Sequence, residues 1–186
     1  MSTNDIFHSS IGYLQQKLQS ILDKVSQEDI SKIQKFFFTA NRVFVYGAGR
    51  SGLVARAFAI RLVHLGFQTF VIGETIGAPV QKEDLVLIVS GSGQTIPAVM
   101  TAEIAHTIGA KVLVITGNAN SKITTFSDKT VVLDVCCNEP LRQQLAPLGT
   151  LFELSTWMFL DALVAKIMHA KGETEKNMRA RHAILE

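Results

Sequence analysis

Five short runs rich in β-branched residues constrain this chain more than any other feature of it. They are Arg42 to Tyr46 (RVFVY), Thr69 to Ile72 (TFVI), Leu85 to Val89 (LVLIV), Val112 to Ile115 (VLVI) and Val131 to Val135 (VVLDV). Continuous apolar runs of this length read as strands buried on both faces. Helical stretches lie between them at Ser51 to Leu65 and Thr95 to Ile108, with a shorter one near Ser121 to Phe126. Alternating strand and helix implies a parallel sheet, because parallel neighbours are joined by right-handed crossovers that cover the sheet's faces. The expected class is therefore α/β, a three-layer αβα sandwich around a five-stranded parallel sheet.

Helices are expected at both ends. Ile6, Ile11, Leu14, Leu18, Ile21 and Leu22 recur at helical spacing within residues 5 to 23. Ser26 with Asp29 three residues on resembles a capping box for a second helix running to about Ala40. Residues 1–40 thus form an N-terminal helical pair, and residues 41–186 the α/β unit that it packs on. After the fifth run, Thr150 to about Ala170 reads as a helix of ~21 residues, ~31 Å long, which Gly172 ends. A charged helical segment, Thr174 to Leu185, follows, with few core residues beyond Met178, Ala183, Ile184 and Leu185. A chain of 186 residues suits one structural unit of this kind.

Charge narrows the range of partners. Eighteen basic and 16 acidic side chains leave a net charge of +2, too little for a nucleic-acid-binding face. The most apolar helix, Leu151 to Met168, carries Glu153, Asp161 and Lys166, so no membrane span is expected. The only cysteines, Cys136 and Cys137, are adjacent and have no distant partner, which suits a reducing compartment. The N-terminus shows no basic segment followed by an apolar stretch, and the expected location is cytoplasmic.

Two glycine-rich loops follow strands and open helices. The first is Gly47-Ala48-Gly49-Arg50-Ser51-Gly52, which matches G-x-G-x-x-G. Such glycines bring backbone amides to a pyrophosphate, and Glu74 after the second run stands where a ribose-binding acid would be. A dinucleotide is thus one reading, although few residues remain for a second substrate. The second loop is Ser90-Gly91-Ser92-Gly93-Gln94-Thr95. Its hydroxyls and amides at the positive end of a helix form an anion site. It lacks the lysine of a Walker loop, so it suits holding a monophosphate better than cleaving a triphosphate. The alternative is a pair of tight turns with no ligand. In an open parallel sheet both loops lie at the carboxyl rim, where Arg50 and Ser51 would face Ser90, Ser92 and Thr95 across one pocket. Arg50 reads equally as a solvated charge. Glu153 enters the first turn of its helix three residues after Thr150, so it reads either as a functional carboxylate or as the far member of a capping box. His182, beside Arg181 on a charged tail, carries no signal of its own.

Taken together, GAGRSG, FVIGET, IVSGSGQT, PLGTLFELS and RHAIL resemble the 6-phospho-3-hexuloisomerase family of sugar isomerase (SIS) domain proteins, from the first strand nearly to the terminus. The resemblance implies a flavodoxin-like SIS fold and an isomerase that interconverts 3-hexulose 6-phosphate and fructose 6-phosphate through a cis-enediolate, as in the ribulose monophosphate pathway of formaldehyde fixation. It implies no cofactor and no metal. It makes Glu153 the proton acceptor and His182 its helper, and it makes Ser51 and the loop Ser90, Gly91, Ser92, Gly93, Gln94 and Thr95 substrate-binding, with Arg50 added as a substrate contact from its place on the same rim. It also implies a homotetramer whose active sites are shared between subunits. Other SIS readings are an arabinose 5-phosphate isomerase or a noncatalytic sugar-phosphate-binding protein. The latter usually carries a DNA-binding helical domain, for which the ~40 residues before the first strand are too few and too weakly basic.

Overall fold

A computed structural model describes residues 3–135 and 140–184 of the chain. Cys136, Cys137 and Leu185, on which expectations were placed, lie outside the described residues. Five strands form one parallel sheet: β1 (Val43–Gly47), β2 (Thr69–Val71), β3 (Leu85–Ser90), β4 (Lys111–Thr116) and β5 (Lys129–Val132), in the order β2-β1-β3-β4-β5. The helices are α1 (Thr3–Leu22), α2 (Gln27–Thr39), α3 (Gly49–His64), α4 (Ile96–Ile108), α5 (Pro140–Leu145), α6 (Thr150–Lys171) and α7 (Glu175–Ala180), with a 3-10 turn at Lys122–Phe126. The expected three-layer sandwich is present.

Strand alternation sorts the core into two layers. Val43, Val45, Leu85, Leu87, Val89, Leu113 and Ile115 face α3 and α6, with α1, α2 and Met178 of α7 behind them. Phe44, Val86, Ile88, Val112 and Val114 face the other way, onto the small residues Ala98, Ala102 and Ala105 of α4 and onto Ile123. Because β3 is central it is covered on both sides, and Leu85 through Val89 are all completely buried. That explains why its sequence does not alternate.

Two boundaries and one additional element depart from expectation for visible reasons. β5 begins two residues earlier and stops at Val132, because its partner β4 ends at Thr116, which pairs with Val132. The last bond of that ladder runs from Leu133 N to Thr116 O at 2.8 Å. α7 stops at Ala180 rather than continuing to Leu185, because Arg181 leaves the helix to serve another element. Its guanidinium donates to the His64 carbonyl at 2.9 Å and to Glu173 at 2.9 Å. α5 lies in a stretch for which the sequence suggested no element; Ser10 of α1 holds its end by donating to Leu145 O at 2.6 Å. Ser26 does cap α2, accepting from Asp29 N at 3.0 Å.

At the amino-terminal rim, Arg42 and Asp84 form a two-bonded ion pair with contacts of 3.0 and 2.7 Å. Asp84 is only 1% exposed and also accepts from Gln81 N at 2.7 Å. This clamp joins the starts of β1 and β3, which leaves the opposite rim for the loops.

Candidate active site

The first loop is short. β1 ends at Gly47 and α3 begins at Gly49, with only Ala48 between them. Gly49 has φ +57°, a conformation that an L side chain rarely adopts. A Cβ on Gly52 would lie 2.5 Å from the Gly47 carbonyl oxygen, so strand and helix cross at a distance that only glycine permits. No side chain caps α3, so its first amides face the rim without a hydroxyl or carboxylate partner from the N-cap residue. Glu74, the acid that a dinucleotide would need, forms an ion pair with Arg56.

The second loop leaves the neighbouring strand, since Gly47 of β1 lies beside Val89 of β3. Strands of one sheet are about 4.8 Å apart, so both loops rise from the same edge side by side. Ser90 is 4% exposed, and its hydroxyl has no hydrogen-bond partner among the described residues. Ser92 Oγ accepts from Gln94 N at 3.2 Å. Gly93 has φ +63°, and a Cβ there would lie 2.1 Å from Ser121 Oγ. Thr95 is the N-cap of α4, but its side chain makes no capping bond, so those helix amides are likewise open.

Glu153 stands in the first turn of α6. The capping-box alternative fails, because the N-cap is Gly149 and Thr150 is already helical, its hydroxyl donating to Pro147 O at 2.6 Å. The Glu153 carboxylate, 12% exposed, instead accepts from Arg50 Nε at 2.5 Å. Arg50, 70% exposed, reaches over from the first loop. Gly149 makes room for this arrangement: a Cβ there would lie 2.8 Å from Glu153 Oε1. Arg50, Ser51, Leu148, Gly149, Thr150 and Glu153 line a cleft of about 430 Å³. Contrary to the expectation of one pocket faced by both loops, no residue from Ser90 to Thr95 lines this cleft; Gly91 instead packs on Phe152, whose ring sits 3.0 Å from where a Gly91 Cβ would be.

His182 is elsewhere within the chain. Its ring stacks on His64 at 4.9 Å, at the carboxyl end of α3, whereas Arg50 and Ser51 are at the amino end. The 16 residues of α3 put those ends roughly 22 Å apart. His64, Arg61, Trp157, Asp161 and His182 line a second recess of about 290 Å³. A smaller recess bounded by Arg50, Leu53, Leu154, Glu153 and Trp157 connects the two along the seam of α3 and α6. Arg181 anchors the tail there, and its guanidinium holds the Glu173 carboxyl below its ordinary range. His64 gave no signal in sequence, since it acts through proximity alone; Gly149 and Phe152 were visible only as members of the PLGTLFELS segment, not for the contacts they make.

Among the described residues no group of three or more His, Cys, Asp or Glu side chains is placed to hold a metal ion, and no helix is long and apolar enough to cross a membrane.

The family described as SIS domain matches residues 36–148. A 3-hexulose-6-phosphate isomerase of Methylomonas aminofaciens is 40% identical over 173 residues, covering 91% of this chain and 94% of that protein. One from Bacillus subtilis is 34% identical over 87% of this chain and 89% of its own. A crystal structure from Methanococcus jannaschii, from which a 3-hexulose-6-phosphate isomerase function was inferred, is 30% identical and matches with a TM-score of 0.86 over 96% of this chain and 99% of that one.

Proposed function

The chain belongs to the SIS domain family, and from that premise we propose that it interconverts 3-hexulose 6-phosphate and fructose 6-phosphate through a cis-enediolate. The observation that carries the reading is the Glu153 carboxylate, mostly buried and set in a cleft beside Arg50 and Ser51. Relatives named for this reaction are 34–40% identical and match along 89–94% of their own length, whereas an arabinose 5-phosphate isomerase is 27% identical and matches along 58% of its own, which favours this reaction over that one.

The Ser90 to Thr95 loop and Ser51 hold the phosphate, with the open amides of α3 and α4 adding partial positive charge. The 3-keto sugar, phosphorylated at O6, binds open, since it has no free hydroxyl placed to close a five- or six-membered ring. Glu153 removes the proton from C2, the C2–C3 enediolate forms, and the same carboxyl returns the proton at C3. Hydrogen moves within one molecule, so the electron balance closes without a redox cofactor. Arg50 neutralises the carboxylate in the empty cleft; a substrate with developing charge on its oxygens draws the guanidinium away and frees the base. His182 transfers the proton between the enediolate oxygens from a neighbouring subunit, in a homotetramer that brings one chain's tail to another's cleft. The exposed apolar side chains Leu53, Ile60, Leu154 and Trp157 along the α3–α6 seam give such a neighbour a surface to cover. The setting is the cytoplasmic ribulose monophosphate pathway of formaldehyde fixation.

The deciding experiment is a coupled assay for fructose 6-phosphate formed from 3-hexulose 6-phosphate, with arabinose 5-phosphate as the competing substrate. Glu153→Gln is expected to lower kcat by about 10³-fold or more while fructose 6-phosphate still raises its melting temperature. Near-native turnover in that variant removes Glu153 as the base. Turnover of arabinose 5-phosphate alone replaces the substrate.

A further inference from the structure

Leu148 combines two unfavourable features at the lip of the cleft. Its φ is +55°, the only positive φ at a non-glycine position among the described residues. It is also 93% exposed, although it is a large apolar side chain. Neither feature is offset by packing within the chain. The backbone around it is nonetheless held firmly: Arg142 Nη1 donates to the Leu148 carbonyl at 3.1 Å, and the preceding Pro147 carbonyl accepts from Thr150 Oγ1 at 2.6 Å. A strained residue that its surroundings fix in place is the pattern of a functional site. The next residue, Gly149, lies against Glu153 Oε1. Leu148 and Glu153 line the same cleft.

We propose that Leu148 is a hydrophobic cover for the reacting carbons, closing on the bound sugar phosphate to keep bulk water from the Glu153 carboxyl while that group carries the proton from C2 to C3. This rests on the isomerase reading. A carboxyl holding a transferred proton exchanges it whenever water reaches it, so a cover keeps the hydrogen within the substrate. An asparagine or glycine at 148 accepts the positive φ and removes the apolar surface. Strain and function then predict opposite changes, which a merely structural residue would not show.

The test measures, in D2O, kcat, the deuterium content at C3 of the fructose 6-phosphate formed, melting temperature and sedimentation for the native protein, Leu148→Asn, Leu148→Gly and Leu148→Met. Asn and Gly are expected to raise the melting temperature by about 2–4 °C. They should also lower kcat about tenfold and raise deuterium at C3 above the native level. Met, which keeps the apolar volume, should stay within about twofold of native kcat. Native-like kcat and deuterium content in Asn and Gly overturn the proposal, as does complete exchange in the native enzyme. A loss of kcat that coincides with a smaller sedimenting species also overturns it, because Leu148 is then an interface residue. A native protein that forms no fructose 6-phosphate overturns the function and the cover together, whereas native turnover with unaffected variants overturns the cover alone.

Discussion

At the residue scale the cleft depends on side chains that are missing. Gly149 has φ −84°, which any residue adopts, so its constraint is spatial: the Glu153 carboxylate occupies the place of its Cβ. Gly149→Ala should fold normally, displace the carboxylate and lower kcat about 10²-fold with little change in melting temperature; steady-state kinetics beside a melt decide this. Gly93 is constrained twice, by φ +63° and by Ser121. Gly93→Ala should weaken fructose 6-phosphate binding and lower the melting temperature together, as read by ligand-dependent thermal shift. The glycines of both loops were legible because their motifs are local. The role of Glu153 was not, because T-x-x-E spacing fits a cap as well as a site, and only the turn of Thr150 toward Pro147 separates the two. His182 was singled out by resemblance, and its stacking on His64 was invisible because 118 positions separate the two rings in sequence.

At the scale of elements, hydrophobic period and capping chemistry located most helices and strands, while their ends were set by partners. Ser26 was readable because a cap is a contact over three residues; Ser26→Ala should cost about 1 kcal/mol, measurable by denaturant unfolding. The end of β5 follows the length of β4, and that of α7 follows Arg181, neither of which a local pattern contains. The Arg181–Glu173 tie also gives the tail a pH dependence. Glu173 has its pKa lowered by the Arg181 hydrogen bond, so the tie stabilises the folded tail above the ordinary glutamate value of 4.5 and is lost as pH falls through the lowered one. The protection factors of the α7 amides, taken relative to intrinsic exchange at each pH, should therefore fall as pH drops below about 4.5. Arg181→Ala should show fast exchange already at pH 6; an unchanged profile in that variant sinks the assignment.

Across the whole molecule, the ion-pair clamp and the candidate cleft occupy opposite rims of the sheet. The Arg42–Asp84 clamp ties the strand starts, and its removal leaves a charge without its partner. Asp84→Asn should lower the melting temperature by about 10 °C while kcat and KM of the folded fraction stay native, as a melt and an assay at low temperature would show. The parallel sheet and its layers were legible because five β-branched runs alternating with helices admit few other arrangements, although the edge strands β2 and β5 prove only partly buried, having a strand neighbour on one side alone. The strand order and the division of faces, with α4 and the 3-10 turn opposite the other six helices, come from long-range pairing. One consequence concerns time rather than shape. The amide hydrogens of β3 lie in a strand sealed from solvent on both faces, so they should leave for heavy water only when the entire domain opens. Ser90 is the last residue of that strand. On the proposed function, the turn assigned to the phosphate is thus rooted in a segment expected to open only with the whole domain, so an arriving ligand would meet a receptor whose form was settled beforehand.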